Sequence, residues 1–253
     1  MSDHAPGPSD HATMEELPAE PLAAGLGVPR PVRLDARPDA QPHPDVIAGR
    51  RVLFVMAALE EYGPALRLRI TPLMTGIGPV EAAVVVSAAL ARLDAQGALP
   101  DLVVCLGSAG SRHLEQAGVY QATSVSYRDM DVSALGFPPG VTPGLDLPPE
   151  VLLPHVIPGL PQARLSSGAA IVSGDGYDPI DADMVDMESY AVCRACLAFG
   201  VPMIGLRGIS DGAAPLGGYM DWTRYLAEID GRLAEAVDRL AACADAVLPQ
   251  GAA

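Results

Sequence analysis

The 253-residue chain predicts an α/β fold in which helices cover both faces of one sheet, and two observations carry that prediction. From Arg51 onward, short β-branched and apolar runs alternate with longer helical patterns, as in a βαβ sheet buried on both sides. With 49% hydrophobic and 19% charged residues, the chain has material for one sizeable core and one main domain.

Residues 1–45 contain nine prolines and several acids but no sustained apolar periodicity. Such a composition does not offset the entropy of ordering by burial, so it reads as a flexible Pro-rich tail ahead of a catalytic domain at 46–248. The tail has no cationic start followed by an apolar run, so it does not read as a secretory signal, and no 18 consecutive apolar residues suggest a membrane span. A soluble, cytoplasmic protein is expected.

Strands are predicted at Val52–Ala57, Leu68–Thr75, Leu102–Leu106, Ala122–Tyr127, Ala169–Ser173 and Met203–Ile209, each an apolar run of strand length. Helices are predicted at Pro79–Leu93, Met184–Phe199 and Asp221–Val247. In the last, Leu226, Ile229, Leu233, Val237 and Leu240 recur every three to four residues with charges between them, so one face packs on a sheet. Gly136–Glu150 is rich in Pro and Gly and reads as a long loop, a length that usually serves function in a compact domain.

A net charge of -15, with only 16 cations, argues against nucleic acid or an anionic membrane as partner and leaves a small molecule. Every cation is an arginine, because the sequence lacks lysine; it also lacks asparagine. Schiff-base lysines, Walker-type phosphate loops and kinase-like Lys–Asn pairs are therefore excluded. The four cysteines lie in or beside apolar runs and read as reduced thiols; Cys193 and Cys196 form a CxxC with no second pair, inside a helical pattern. His4, His11 and His43 fall in the tail, while His113 and His155 stand alone. No metal and no cofactor is expected.

The candidate chemistry sits at strand ends, which gather along one rim of a parallel sheet. Glu60-Glu61 follows the first strand, Gly76-Ile77-Gly78 opens a helix, Gly107-Ser108-Ala109-Gly110 follows the third strand, Ser173 to Tyr177 follows another, and Ser210-Asp211-Gly212 ends the last. Each alone has an ordinary reading as a turn, a cap or a helix start. Their joint order is more specific.

The stretches Ala57–Glu61, Thr75–Val80, Gly107–Gly110, Asp129–Val132, Val172–Asp175, Val185–Glu188 and Arg207–Asp211 resemble, in order, the nucleoside phosphorylase and nucleosidase superfamily. Within it they resemble the 5'-methylthioadenosine/S-adenosylhomocysteine nucleosidases, from about Arg51 to Leu240. The resemblance implies a single three-layer α/β/α domain around a mixed, mostly parallel twisted sheet. It also implies hydrolysis of the N-glycosidic bond of a purine nucleoside. By its motif positions, Asp211 is the acid that protonates N7 of the departing base, oriented by Ser210, and Glu61 activates the water. Glu188, Met187 and Thr75 bind the ribose; Tyr177 stacks on the base, Asp178 reads its edge through the backbone, and Ala109 and Gly110 complete the base site. Val132, Leu135, Phe137 and Pro143 match residues that reach a partner subunit's 5'-substituent pocket, which implies a homodimer.

Two departures stand out. Only thirteen residues separate Glu61 from Thr75, where the family carries a longer segment with an extra strand pair, and Leu135 and Asp178 stand where an aromatic and a hydrophobic residue are usual. Two other readings compete. In a phosphorylase, Arg67, Arg69 or Arg112 would bind phosphate; a nucleoside-binding protein without turnover would have no need of Asp211, Glu61 and Glu188 together.

Overall fold

The computed structural model describes residues 33, 34 and 37–247. Strand β1 (Asp45–Ile47) pairs antiparallel with β2 (Arg50–Met56), which runs parallel to β3 (Leu73–Met74) and to β4 (Leu102–Gly110). Strand β4 runs parallel to β9 (Met203–Asp211), and β9 antiparallel to β5 (Val119–Tyr127). Parallel to β5 lies β7 (Gln162–Ser167), followed by β8 (Met184–Asp186); β6 (Glu150–Leu152) adds to β5 antiparallel. One antiparallel bridge, Gly110 to Val185, brings β8 back to β4, so five strands curl into a ring. The mixed sheet expected from the sequence is present, with this closure added.

Both faces of the sheet are buried, which is why its strands read as continuous apolar runs rather than alternating ones. Leu53, Val55, Val103 and Cys105 join the core beneath α2 (Pro79–Ala95) and α3 (Ser189–Phe199). Their neighbours Val52, Phe54, Met56, Leu102, Val104 and Leu106 enter the core beneath α5 (Leu226–Val247). The predicted apolar positions Leu226, Ile229, Leu233, Val237 and Leu240 are all buried there. Helix α5 lies so close to β9 that a Cβ at Gly208 would stand 2.9 Å from Ile229 Cγ1.

Four expectations for the elements are corrected. Of Leu68–Thr75, only Leu73–Met74 is a strand; before it comes a short helix, α1 (Pro64–Arg67), whose first amides, Ala65 N and Leu66 N, donate to the buried Asp230 of α5 at 2.8 and 3.1 Å. This contact, 165 residues away, overrides local pattern. Ala169–Ser173 is not a strand; its backbone is engaged by side chains, Asp129 accepting from Ala169 N and Arg128 donating to Ala170 O at 2.7 Å, while the strand lies at Gln162–Ser167. Met184–Phe199 splits into β8 and α3, because the Asp186 carboxylate accepts from Ser189 N at 2.9 Å and starts the helix there. Asp221–Val247 divides into α4 (Tyr219–Thr223) and α5, and α5 is interrupted at Cys243 by a φ of −127°.

Most of the expected tail lies outside the described residues. Its last part belongs to the folded unit: Ala40 is buried in the core, and Gln41 Oε1 accepts from Arg92 Nη1 at 2.5 Å. The stretch after β5, Gly136 to Pro149, is irregular, as expected. No described helix is long and apolar enough to cross a membrane.

Candidate active site

Glu61 ends a 3-10 turn just after β2 and is 7% exposed. Its Oε1 accepts from Ser108 N at 2.7 Å and from Ser108 Oγ at 2.6 Å, while Oε2 is buried with no hydrogen-bond partner. Burial raises its pKa against the pull of Ser108 and Arg207. Ser108 in turn accepts from Trp222 Nε1 at 3.0 Å, and Tyr219 Oη donates to Glu60 Oε1 at 3.4 Å, so α4 is tied to Glu60 directly and to Glu61 through Ser108.

Glu188 stands at the start of α3 and accepts from Gly78 N at 2.7 Å, linking two helix starts. Burial and the neighbouring Asp186 push its pKa up to about 7. Beneath it lies a buried pair that the sequence reading missed. Arg207 Nη2 donates to Asp186 Oδ2 at 2.7 Å, to Ser189 Oγ at 2.8 Å and to Cys105 Sγ at 3.1 Å, and Nε donates to Asp186 Oδ2 at 3.0 Å. A Cβ on Gly107 would lie 2.7 Å from Arg207 Nη1 and 3.0 Å from Glu61 Oε2, so both groups converge on the backbone of β4.

Three residues farther along β4, at Gly110, stands the proposed acid. Opposite it, the register with β9 slips by one: Ala109 faces Ile209 and Gly110 faces Asp211, leaving Ser210 as the extra residue of a β-bulge, which bends the strand end and re-aims its side chains. Ser210 Oγ donates to Asp211 Oδ1 at 2.6 Å, and burial raises the Asp211 pKa against that bond. A Cβ on Gly110 would lie 3.0 Å from Asp211 Oδ2 and would overlap the hydroxyl of Tyr177. Gly107 and Gly110 are three residues apart on β4, roughly 10 Å at about 3.3 Å per residue.

The remaining predicted residues fall as follows. Thr75 is buried at the end of β3, and its Oγ1 donates to Gly76 O at 2.7 Å; Met187 is half-buried beside Glu188. Ala109 directs its side chain into the core, so only its backbone faces the strand edge. Tyr177 is 9% exposed, its ring lies 5.3 Å from the Arg112 guanidinium, and it lines a cavity of about 400 Å³ with Arg112, Asp178 and Ile180. The Asp178 side chain turns outward to Arg112 at 2.6 Å, and its N–H already donates to Asp175 O at 3.0 Å. Val132, Leu135, Phe137 and Pro143 lie between β5 and β6, Leu135 ending a 3-10 turn (Ser133–Leu135) and 74% exposed. Among the described residues no group of three His, Cys, Asp or Glu could hold a metal; the cysteines are free, and Cys105, Cys193 and Cys196 are buried.

Residues 175–249 match the model of the phosphorylase superfamily. A 5'-methylthioadenosine/S-adenosylhomocysteine nucleosidase of Exiguobacterium is 30% identical over 58% of this chain and 69% of its own length. The chain belongs to this nucleosidase family. A Haemophilus influenzae nucleosidase of the same description is 33% identical over 55% of this chain and 67% of its own length. Among solved structures, the Helicobacter pylori nucleosidase in complex with a substituted pyrrolidin-3-ol has a TM-score of 0.64 at 22% identity, covering 77% of this chain and 97% of its own. A futalosine hydrolase mutant of the same species also reaches 0.64, at 20% identity over 75% and 97%. These structural likenesses establish the nucleosidase fold.

Two site features of this family member were open to sequence reading. An arginine inside the apolar run Met203–Ile209, and an acid two residues before Glu188, are costly to bury alone and point to each other. Trp222 gave no such signal, since its contact with Ser108 spans 114 residues.

Proposed function

We propose that the chain hydrolyses the N-glycosidic bond of a purine nucleoside, 5'-methylthioadenosine or S-adenosylhomocysteine, releasing adenine and the 5-thio-ribose. The observation that carries this is the buried Oε2 of Glu61, which has no hydrogen-bond partner, together with the half-buried Asp211, whose pKa burial raises and whose Oδ2 lies by Gly110, three residues farther along β4. Such an oxygen suits one lone-pair contact with a water. As the C1'–N9 bond breaks, Glu61 takes a proton from the water whose oxygen bonds to C1', and Asp211 gives its proton to N7, so the base departs neutral. The positive charge that grows on the ribose favours nearby carboxylates, and Glu188 is placed to supply one while accepting from the sugar hydroxyls.

The arginines that a phosphorylase would use have other partners. Arg69 pairs with Asp238, Arg112 with Asp178, and Arg67 donates to Tyr62 O at 2.9 Å over the Tyr62 ring. A carboxylate beside the nucleophile would also repel phosphate. A homodimer in which Val132, Leu135, Phe137 and Pro143 line the partner's 5'-substituent site fits their place on the exposed stretch after β5, and three buried free thiols fit a cytoplasmic setting.

Free base is to be followed by chromatography over a nucleoside panel, with and without phosphate. Release is expected without phosphate, and Asp211→Asn is expected to slow it by about 10²-fold or more. Equal rates in variant and wild type would remove Asp211 as the acid, and a requirement for phosphate would replace hydrolysis by phosphorolysis.

A further inference from the structure

Two buried polar atoms near the site lack partners: Glu61 Oε2, which the hydrolysis uses, and the Tyr177 hydroxyl, which it does not. A buried hydroxyl without a partner is destabilising, so its retention calls for a ligand atom. A ring stacked on the face of a base would hold its hydroxyl out of the base plane; with its oxygen beside Asp211 Oδ2, the Tyr177 side chain meets the edge of the base instead. The oxygen therefore needs its own account.

Its position supplies one. The Tyr177 hydroxyl and Asp211 Oδ2 flank the same point over Gly110. Asp211 Oδ1 is engaged by Ser210, which leaves Oδ2 to carry the proton for N7. On a purine, the substituent at C6 lies on the same edge as N7, directly beside it. A donor to N7 from Oδ2 thus sets the C6 substituent next to a group near Oδ2, and the unpartnered neighbour there is the Tyr177 hydroxyl. Burial and Asp211 push this phenol up to about 12, so it keeps its proton at neutral pH. A hydroxyl both donates and accepts. It accepts from a 6-amino group and donates to a 6-oxo group, whereas the unprotonated oxygen of a carboxyl alone would repel the latter.

We propose that the Tyr177 hydroxyl contacts the C6 substituent of the base and admits 6-oxopurine nucleosides as a second substrate class beside the 6-aminopurine one. The inference rests on the nucleosidase reading above, and the chemistry is the same: C1'–N9 breaks, water oxygen bonds to C1', and N7 receives the Asp211 proton, so hypoxanthine departs neutral.

The test compares kcat/KM for 5'-methylthioadenosine and its 6-oxo counterpart, 5'-methylthioinosine, in wild type and Tyr177→Phe. Wild type is expected to hydrolyse both. In Tyr177→Phe the ratio of 6-oxo to 6-amino activity should fall about tenfold, the loss of one hydrogen bond together with an unanswered 6-oxo dipole. A wild type that cleaves only the 6-amino substrate overturns the proposal and leaves the nucleosidase reading standing. A ratio unchanged within twofold in Tyr177→Phe also overturns it. Should neither nucleoside be cleaved, both readings fall. Calorimetric binding of hypoxanthine and adenine to wild type gives the same comparison without the variant: hypoxanthine binding within tenfold of adenine supports the proposal, and a larger gap counts against it.

Discussion

Glu188→Gln should stabilise the fold at alkaline pH while impairing catalysis, and the size of the effect follows from the site. The Glu188 carboxyl, ordinarily at 4.5, is held at about 7 by burial and by Asp186. A carboxyl with a raised folded pKa favours the protonated form in the folded state. Its contribution is therefore fully present below pH 4.5 and is lost as pH rises through 7. The gap corresponds to about 3 kcal/mol at roughly 1.4 kcal/mol per pH unit. Glutamine keeps an oxygen to accept from Gly78 N but does not ionise, so the variant escapes this loss. Between pH 5 and 8.5, the stability of Glu188→Gln relative to wild type should rise by about 2–3 kcal/mol, or roughly 4–12 °C in Tm for a domain of this size. Urea unfolding across that range measures it, and taking the difference between proteins cancels the titration of groups that the substitution leaves alone. A pH-independent difference would refute the buried, raised carboxyl. Activity should fall at every pH, since the amide cannot offer the sugar a negative charge.

Three further outcomes follow from the same network. Trp222→Phe removes the donor to Ser108 Oγ and is expected to lower kcat about three- to tenfold through the orientation of Glu61, with KM less affected; an unchanged kcat would detach α4 from the chemistry. Ser210→Ala removes the bond that lowers the Asp211 pKa, so Asp211 holds its proton to higher pH and the alkaline limb of the kcat/KM profile should move upward; a downward or absent shift would count against Asp211 as the acid. Asp186→Asn leaves the Arg207 charge buried without its counterion and should cost about 3–5 kcal/mol in denaturant unfolding, where a loss below 1 kcal/mol would show the pair to be dispensable.

The parts of this fold that were legible in the sequence are those set by local pattern. Strand cores such as Leu102–Leu106 and Met203–Ile209 are apolar on both faces, and the buried stripe of α5 repeats at helical spacing, so composition alone located them. The parts that failed depend on distant partners. Nothing between Leu68 and Thr75 announces that Asp230, on the other end of the chain, caps a helix turn just before it. No proline or glycine marks the start of α3 at Ser189; the cap is the Asp186 side chain, which itself sits in the apolar pattern that reads as helix from Met184. At the site, the motif positions named Glu61, Asp211 and Glu188, and the buried Arg207–Asp186 pair was open to the same reading, while Ser108 and Trp222 act on Glu61 through contacts spanning 47 and 114 residues, which spacing does not encode.

The three acids differ in what surrounds them, and the difference suits each to the role proposed for it. Glu61 receives two bonds on one oxygen and keeps the other bare, a state suited to holding a water and taking its proton. Asp211 has a single hydroxyl partner and no cation among the groups that shift it, so burial dominates and favours the protonated acid. Glu188 lies between these, balanced by Asp186 against Arg207. Arg207 acts electrostatically on both Glu61 and Glu188 while remaining bonded to Asp186, so it steadies their charge without presenting a free guanidinium to an incoming anion. A positive group placed that way lowers the cost of keeping Glu61 ionised and still leaves water, rather than phosphate, as the nucleophile the site accommodates.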